Sequence, residues 1–310
     1  MSLLVVGSMA FDAIETPFGK TDKIVGGAAT FISLAASYFT TDVRLVAVVG
    51  GDFPAQTVAD LQKRGIKVDG LQIKPDEKSF FWSGKYHLDM NTRDTLVTEL
   101  NVLGNFDPII PDTYQGVRHL MLGNLQPMVQ QSVIERLHER PNLVAMDTMN
   151  FWMTSTPAEL AQTIAMVDLL MLNEEEARQL SGDYSLVKAA QRIRQMGPKY
   201  LIIKKGEHGA LLFHGENVFF APALPLEEVF DPTGAGDTFA GGFMGYLAKT
   251  GDLSFANMKR AVIYGSAMAS FCVEKFGTQR LAELTPHDIR RRVQDFVTLV
   301  QFEDNIIDEA

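Results

Sequence analysis

The alternation of short apolar runs with amphipathic segments constrains the fold of this sequence most strongly. The apolar runs are rich in Val, Ile and Leu and lack a polar residue at every second position, which is typical of strands buried on both faces of a sheet. The segments between them repeat apolar residues at helical spacing. We therefore predict an α/β fold with a doubly wound, mostly parallel central sheet flanked by helices. The predicted strands are Leu3–Val6, Arg44–Val49, Leu120–Leu122, Leu143–Asp147, Leu169–Leu172, Leu201–Lys204 and Ala210–Phe213.

The same spacing predicts helices along the whole chain. Three are expected to begin near Gly27, after Pro127 and after Asn173. The last helix has Thr285 as a plausible N-cap and Pro286 at its first position, where proline is favoured. The C-terminal helices are predicted over Gly236–Lys249, Ser254–Lys275 and Pro286–Val300, and the acidic tail Glu303–Ala310 is expected to be frayed.

One region departs from this alternation and predicts a small lid. Ser79–Leu88 and Thr95–Leu100 are rich in aromatic or β-branched residues and are separated by a polar turn. We interpret them as a β-hairpin that stands apart from the main sheet, with the lid formed by about residues 11–24 and 72–102. An edge hairpin of the main sheet is the alternative on pattern alone. No repeat or linker divides the chain, so residues 1–310 are predicted to form a single domain with this lid.

Charge and cysteine content exclude several function classes. The net charge of −10 argues against a nucleic-acid or anionic-membrane partner, whose phosphates would be repelled. A phosphate ligand stays compatible with this charge, because backbone N–H groups and a metal ion can bind it. The single cysteine, Cys272, leaves no disulfide or Cys-based metal framework. No apolar run is long enough to span a bilayer, and we expect a soluble, cytoplasmic protein.

The most informative motif runs from Asp231 to Asp237 and precedes a helical pattern. The small residues Gly234, Ala235 and Gly236 leave unhindered N–H groups at a helix N-terminus, which together with the helix dipole form an anion cradle. Asp237 in the first turn is compatible with a simple helix cap and with a functional carboxylate. The run of small residues and the second acid at its entrance favour the functional interpretation.

This segment resembles the C-terminal signature of the ribokinase-like family of carbohydrate and nucleoside kinases. Gly26-Gly27 is similar to the family's diglycine motif, which opens a helix lining the substrate pocket. Asn173–Glu176 is similar to its Asn-x-x-Glu motif, and Lys204–Gly209 to its glycine-containing ATP loop. The four motifs occur in family order across the whole chain. The resemblance implies a kinase that moves a phosphoryl group from ATP to an alcohol hydroxyl.

The resemblance also implies a role for each motif residue. Asp237 would be the base, and the N–H groups of Gly234, Ala235 and Gly236 would stabilise the transferring phosphoryl group. Glu176 and Asn173 would organise Mg²⁺, directly or through water, although ordinary first-turn acids of a helix are the simpler interpretation. The residues expected at the nucleotide are Asn173, Lys204, Gly206, Gly209 and Gly277; otherwise Gly206 and Gly209 are turn glycines and Lys204 is a solvated lysine.

On the substrate side, Asp12 matches the family's hydroxyl-binding aspartate. Ala10 and Phe31 stand where ribokinase carries asparagines, which argues against ribose. A sugar is the first expectation, and the aromatic residues Phe31 and Phe80–Trp82 favour a nucleoside as the alternative, because a base stacks on an aromatic ring. Arg93 in the lid turn either meets a substrate phosphate or is a solvated tip. The residues expected at the substrate are Asp12, Gly26, Gly27, Phe31, Asp147 and Asn150.

The implied cofactors are ATP and Mg²⁺. K⁺ is a further expectation, since some relatives hold a monovalent cation near Asp231 and in the segment Cys272–Gly277. The expected partners are a small-molecule sugar or nucleoside and a second copy of the chain, paired through exposed lid strands. The missing Gly-x-x-x-x-Gly-Lys-Ser/Thr motif excludes a P-loop kinase, and a single glycine after the first strand argues against NAD. The alternative from another class is a non-catalytic protein that senses sugar or nucleotide on a kinase scaffold.

Overall fold

The structure is a computed structural model that describes residues 1–301. The expected frayed tail, Glu303–Ala310, lies outside the described residues. The strands are β1 (Leu3–Val6), β2 (Ala10–Thr16), β3 (Gly19–Lys20), β4 (Ile24–Gly26), β5 (Val43–Gly50), β6 (Lys67–Lys74), β7 (Phe80–Tyr86), β8 (Arg93–Glu99), β9 (His119–Leu122), β10 (Leu143–Asp147), β11 (Leu169–Asn173), β12 (Tyr200–Lys204), β13 (Ala210–His214) and β14 (Asn217–Ala221). The α-helices are α1 (Ala28–Ala36), α2 (Ala55–Lys63), α3 (Pro127–Arg136), α4 (Asn150–Ser155), α5 (Pro157–Ala165), α6 (Glu174–Ser181), α7 (Leu186–Arg194), α8 (Ala235–Thr250), α9 (Phe255–Cys272), α10 (Gln279–Glu283) and α11 (Pro286–Val300).

A nine-stranded sheet forms the centre of the molecule, in the order β14-β13-β12-β11-β10-β9-β1-β5-β6. The seven neighbouring strands β12-β11-β10-β9-β1-β5-β6 are parallel, whereas β13 and β14 pair in antiparallel fashion. The predicted doubly wound α/β fold is therefore confirmed. The two edge strands, β6 and β14, were not predicted, because edge strands are half exposed and carry polar residues rather than a continuous apolar run.

Alternate residues of each buried strand serve two separate cores. In β1, Leu3 and Val5 belong to the core beneath α1, α8 and α9, whereas Leu4 and Val6 belong to the core on the opposite face. Helix α8 packs so closely on α1 that a side chain at Gly241 would collide with Ile32. None of the helices within residues 1–301 is long and apolar enough to cross a membrane.

A second sheet, which we name the lid sheet, stands apart from the main sheet. It has the order β3-β2-β7-β8, with β4 paired to β2. The separate hairpin is therefore confirmed, and an edge hairpin of the main sheet is wrong. The expected lid range of residues 72–102 begins too early, because β6 continues through Lys74 in the main sheet. The range 11–24 ends too early, because β4 extends the lid sheet to Gly26.

Candidate active site

Three polar side chains leave the same edge of the main sheet. Asp147 ends β10, Asn173 ends β11 and Lys204 ends β12, and the parallel register pairs Asn173 with Lys204. Parallel strands present their carboxyl ends to one crevice, where α/β folds bind their ligands. Lys204 Nζ lies 2.6 Å from Asp147 Oδ2, and the other Asp147 oxygen accepts the Thr148 N–H. Two predicted site residues thus form an ion pair across β10 and β12.

The N-terminus of α8 opens into this crevice. Gly234 is its N-cap with φ 76°, a left-handed conformation that favours glycine, and the Phe31 ring fills the space that a side chain would need. Ala235 N–H donates to the Pro232 carbonyl at 3.2 Å. The sequence predicted a free N–H group at this position, and the structure differs. Within residues 1–301, the N–H groups of Gly236 and Asp237 have no such acceptor. The Gly234 N–H has no acceptor among the described residues either, so the free donors are Gly234, Gly236 and Asp237, and only Ala235 departs from the predicted set.

Asp237 sits in the first turn of α8 and is half-buried. Burial raises the pKa of its carboxyl to about 7, the Asp147 carboxylate adds to the rise, and the positive charges of Lys204 and Arg93 oppose it. A carboxyl with this pKa is poised to accept a proton near neutral pH. Lys204 lies against the same loop, since a Cβ at Gly236 would be 3.0 Å from its Nζ. Burial lowers the pKa of Lys204, but Asp147 and the other carboxylates outweigh it, so this pKa is raised overall.

Asn173 and Glu176 form a reciprocal capping box at the start of α6. Asn173 Oδ1 accepts the Glu176 N–H, and Glu176 Oε2 accepts the Asn173 N–H, both at 2.8 Å. Glu176 is nevertheless buried, which raises the pKa of its carboxyl to about 7 with a contribution from Asp147. Residues 1–301 hold no group of three His, Cys, Asp or Glu side chains placed to share a metal ion. The capping box uses Glu176 Oε2 and leaves Oε1, a carboxylate oxygen of the kind that Mg²⁺ binds while it keeps several waters.

Asp231 joins the loop before α8 to the loop after α9. It is fully buried, and its two oxygens accept the N–H groups of Thr233 and Gly277, each at 2.9 Å. The predicted monovalent-cation segments are therefore held together by this carboxylate. The N–H of Gly277 is used by Asp231, so Gly277 holds the two loops together here, and a side chain at this position would collide with Ile24 of β4.

Asp12 of β2 lies beside the diglycine motif. A side chain at Gly26 would collide with the Asp12 carboxylate, and Gly27 has φ 91° with no room for a side chain. Burial raises the pKa of Asp12 to about 7, and the charges of Asp231 and Asp237 add to the rise. Asp12 and Asp237 therefore belong to one cleft. Sequence reasoning missed Ser8, whose hydroxyl and carbonyl accept the first N–H groups of α1.

The lid sheet touches both phosphate loops that the motifs predict. Thr233 Oγ1 donates to the Tyr86 hydroxyl oxygen at 3.2 Å, and the Asn91 carboxamide lies directly against Gly206. Gly206 and Gly209 have φ values of 54° and 89°, so the loop after β12 needs glycine at both places. The lid contacts had no sequence signal, because they join residues far apart in the chain.

Two predicted substrate residues lie elsewhere. Phe31 is 1% exposed and packs beneath Gly234 rather than facing the cleft. Asn150 is exposed at the start of α4, and no contact brings its side chain to Asp237 within the described residues. Asn124 contacts the same helix, α4, where its Oδ1 accepts the Trp152 indole N–H at 2.9 Å.

Comparison with known proteins identifies a family and a fold. The model of the pfkB family of carbohydrate kinases matches residues 2–284. Cytidine kinase of Thermococcus kodakarensis is 31% identical over 248 residues, which is 79% of this chain and 87% of that protein. Nucleoside kinase of Methanothermobacter thermautotrophicus is 26% identical over 318 residues, covering 93% of this chain and 94% of that protein. The crystal structure of Methanocaldococcus jannaschii nucleoside kinase, a ribokinase-family member, superposes with a TM-score of 0.75 at 20% identity and covers 95% of this chain and 98% of that one.

The matched range contains all four motifs, from the diglycine to the loop before α8. The fold is ribokinase-like, as the resemblance implied. The predicted phosphotransferase is confirmed by this family and by the similar kinases, and a kinase of this family implies ATP as the phosphoryl donor. The chain belongs to the pfkB family of carbohydrate kinases.

Proposed function

We propose that the protein transfers the γ-phosphoryl group of ATP to an alcohol hydroxyl of a nucleoside. This proposal rests on one face of the lid sheet, which carries Asp12 and which we call the inner face. The register of β2 and β7 pairs Ala10 with Phe80 and Asp12 with Trp82, so Phe80 and Trp82 share a face with Asp12. Phe81 points to the opposite face. An aromatic surface beside a hydroxyl-binding carboxylate matches a base attached to a sugar.

Trp82 is shaped for stacking. Its indole ring lies over Gly84, where any side chain would collide with it, and its Nε1 donates to Thr95 Oγ1 at 3.4 Å. The ring is therefore held flat along the lid sheet and is half-buried. The similar cytidine and nucleoside kinases support this substrate class over a free sugar. A sugar stays the second candidate, because Asp12 binds hydroxyls in either case.

In the proposed reaction, Asp237 takes the proton of the acceptor hydroxyl as its oxygen bonds to the γ-phosphorus. The bond from that phosphorus to the β–γ bridging oxygen breaks, and ADP leaves with the electron pair. The free N–H groups of Gly236 and Asp237, with the Lys204 ammonium, stabilise the charge on the transferring group. Mg²⁺ near Glu176 would neutralise phosphate charge when bound. We also propose K⁺ beside Asp231, because Asp231 holds together the two loops that were predicted to bind a monovalent cation.

Replacing Trp82 tests the substrate class. Trp82→Ala should raise the KM for cytidine by about 5- to 150-fold, the equivalent of about 1–3 kcal/mol of base stacking, and leave the KM for ATP unchanged. Phe81→Ala, on the outer face, is the matched control and should leave the KM for cytidine unchanged. Steady-state kinetics with cytidine, inosine, ribose and fructose provide the measurement. A wild-type protein that phosphorylates only the free sugars would contradict the nucleoside proposal and favour a sugar as the substrate.

We also propose a homodimer through the lid sheet. All seven residues of β8 are exposed, and its outer edge pairs with no strand in the described part of the chain. The outer face carries a groove of about 430 Å³ whose lining includes Lys23, Lys78, Phe81 and Glu99. Opposite charges around an apolar centre are self-complementary, as a two-fold interface requires.

A further inference from the structure

Arg93 lies at the start of β8, on the inner face of the lid sheet. The antiparallel register pairs it with Tyr86, and directly paired residues project to the same side. Tyr86 faces the cleft, because its hydroxyl accepts from Thr233 in the loop before α8. The guanidinium of Arg93 is therefore directed over the crevice rather than to the outer solvent.

The lid contacts fix where Arg93 can reach. Tyr86 rests on Thr233 of the anion cradle, and Asn91 rests on Gly206 of the loop after β12. Arg93 is paired directly with Tyr86 across the two strands and follows Asn91 by two residues, so its backbone lies close to both supports. A side chain that starts there on the inner face can reach the space between the nucleotide loop and the anion cradle, where the phosphoryl group would be transferred.

The guanidinium of Arg93 has no protein partner among the described residues. Within residues 1–301 its guanidinium forms no salt bridge, although Asp94 beside it pairs with His87 on the outer face. Its charge lowers the pKa of both Asp237 and Glu176, so the group lies within electrostatic reach of both carboxyls. The cleft cation that already has a close partner is Lys204, which Asp147 neutralises at 2.6 Å. A free planar guanidinium beside an anion cradle is suited to two oxygens of one phosphoryl group.

We propose that Arg93 is a catalytic residue that the lid delivers to the transferring phosphoryl group, where its guanidinium binds the equatorial oxygens. This inference rests on the proposed kinase function and adds a residue from the lid to the machinery of α8. Arg93 forms and breaks no covalent bond: the proton still passes to Asp237, and the electron pair still leaves with ADP. Its contribution grows as charge spreads over the phosphoryl oxygens, so it acts on the rate more than on binding.

The test compares Arg93→Met and Arg93→Lys with Lys85→Met. Lys85 lies on the outer face of the same sheet, where it pairs with Glu15, so its replacement removes an equal charge away from the cleft. Arg93→Met should lower kcat about 10²–10³-fold with less than about a threefold change in either KM. Arg93→Lys should restore part of the loss, and Lys85→Met should stay within about twofold of wild type.

Two further readouts separate catalysis from lid structure. Arg93→Met should weaken the binding of ADP with aluminium fluoride and acceptor, a mimic of the transferring group, while ADP alone binds as tightly as to wild type. The acidic limb of kcat/KM should move to higher pH, since Arg93 lowers the pKa of Asp237. An unchanged kcat, or a loss confined to KM, would overturn the proposal. A wild type with no kinase activity would overturn the proposed function together with it, whereas an active wild type with an unimpaired Arg93→Met variant would overturn this proposal alone.

Discussion

Three carboxyl groups of the cleft share a raised pKa of about 7: Asp12, Glu176 and Asp237. In each of them burial is the largest cause, and a neighbouring acid adds to it. Perturbed acids that cluster in one cleft are typical of functional sites. The sequence motifs predicted Asp12 and Asp237 at one site, and in the structure the charge of Asp237 contributes to the raised pKa of Asp12. They could not predict the protonation of these groups, because the neighbouring charges come from strands distant in the chain.

Asp237→Asn should abolish most turnover without unfolding the protein. We expect kcat to fall about 10²–10⁴-fold, because the amide accepts no proton from the acceptor hydroxyl. Wild-type kcat/KM should fall as the pH drops below about 7, since protonation of Asp237 removes the base. A variant with near-wild-type turnover would remove Asp237 from the base role.

The same variant makes a stability prediction with a definite sign. The carboxyl of Asp237 has a higher pKa in the folded protein than its ordinary value of 3.8, so its ionisation destabilises the fold as pH rises through about 7. The amide carries no charge at any pH. The melting temperature of Asp237→Asn should therefore exceed that of wild type by more at about pH 8 than at about pH 5. Thermal unfolding at both pH values gives the comparison, and a constant difference would contradict it.

At the scale of elements, the ends of the parallel strands build the cleft. The apolar runs predicted β1 and β10 to the residue, since these strands are buried on both faces. Helix α8 was also predicted from its spacing, and its glycines indicated a close backbone approach without naming the partner. Gly241 makes room for α1, a contact between segments that are distant in the chain. Residue patterns predict which element forms, whereas close contacts between elements depend on the folded arrangement.

The Lys204–Asp147 pair joins the ends of β12 and β10 and makes a prediction at this scale. Their side chains are only 18% and 8% exposed, so Lys204→Met should leave a buried carboxylate unpaired and destabilise the protein by about 3–5 kcal/mol. Adding Asp147→Asn should recover most of the stability but not the activity, because the phosphoryl group still lacks the ammonium. Urea unfolding and kinetics of the single and double variants test this. Equal stability of the two variants would contradict the pairing.

At the scale of the whole molecule, the exposed lid strand predicts a dimer. Light scattering should give twice the chain mass, because β8 offers an unpaired edge with exposed Leu96 and Val97. Val97→Glu should shift the mass to the monomer. Val218→Glu is the matched control, since Val218 is equally apolar and exposed on β14 at the far edge of the main sheet. A monomeric wild type at every concentration would contradict the lid interface.

In the proposed function, the two sheets of the molecule have different roles. The main sheet and α8 would carry the phosphoryl chemistry, and both lie within the residues that the family model matches. The lid sheet carries Trp82 and Phe80 on the face that covers Asp12. The sequence indicated aromatic residues in the lid, but their division between two faces followed only from the register with β2.

The central claim is phosphoryl transfer from ATP to a nucleoside, and identification of the phosphorylated product tests it most directly. Purified protein would be incubated with ATP, Mg²⁺ and equal concentrations of cytidine, inosine, ribose and fructose, each separately, and the products resolved by ³¹P NMR. We predict a nucleoside monophosphate formed in equal amount to ADP, with Asp237→Asn producing neither. ADP formed without any phosphorylated acceptor, or a phosphorylated free sugar with unreacted nucleosides, would contradict the claim.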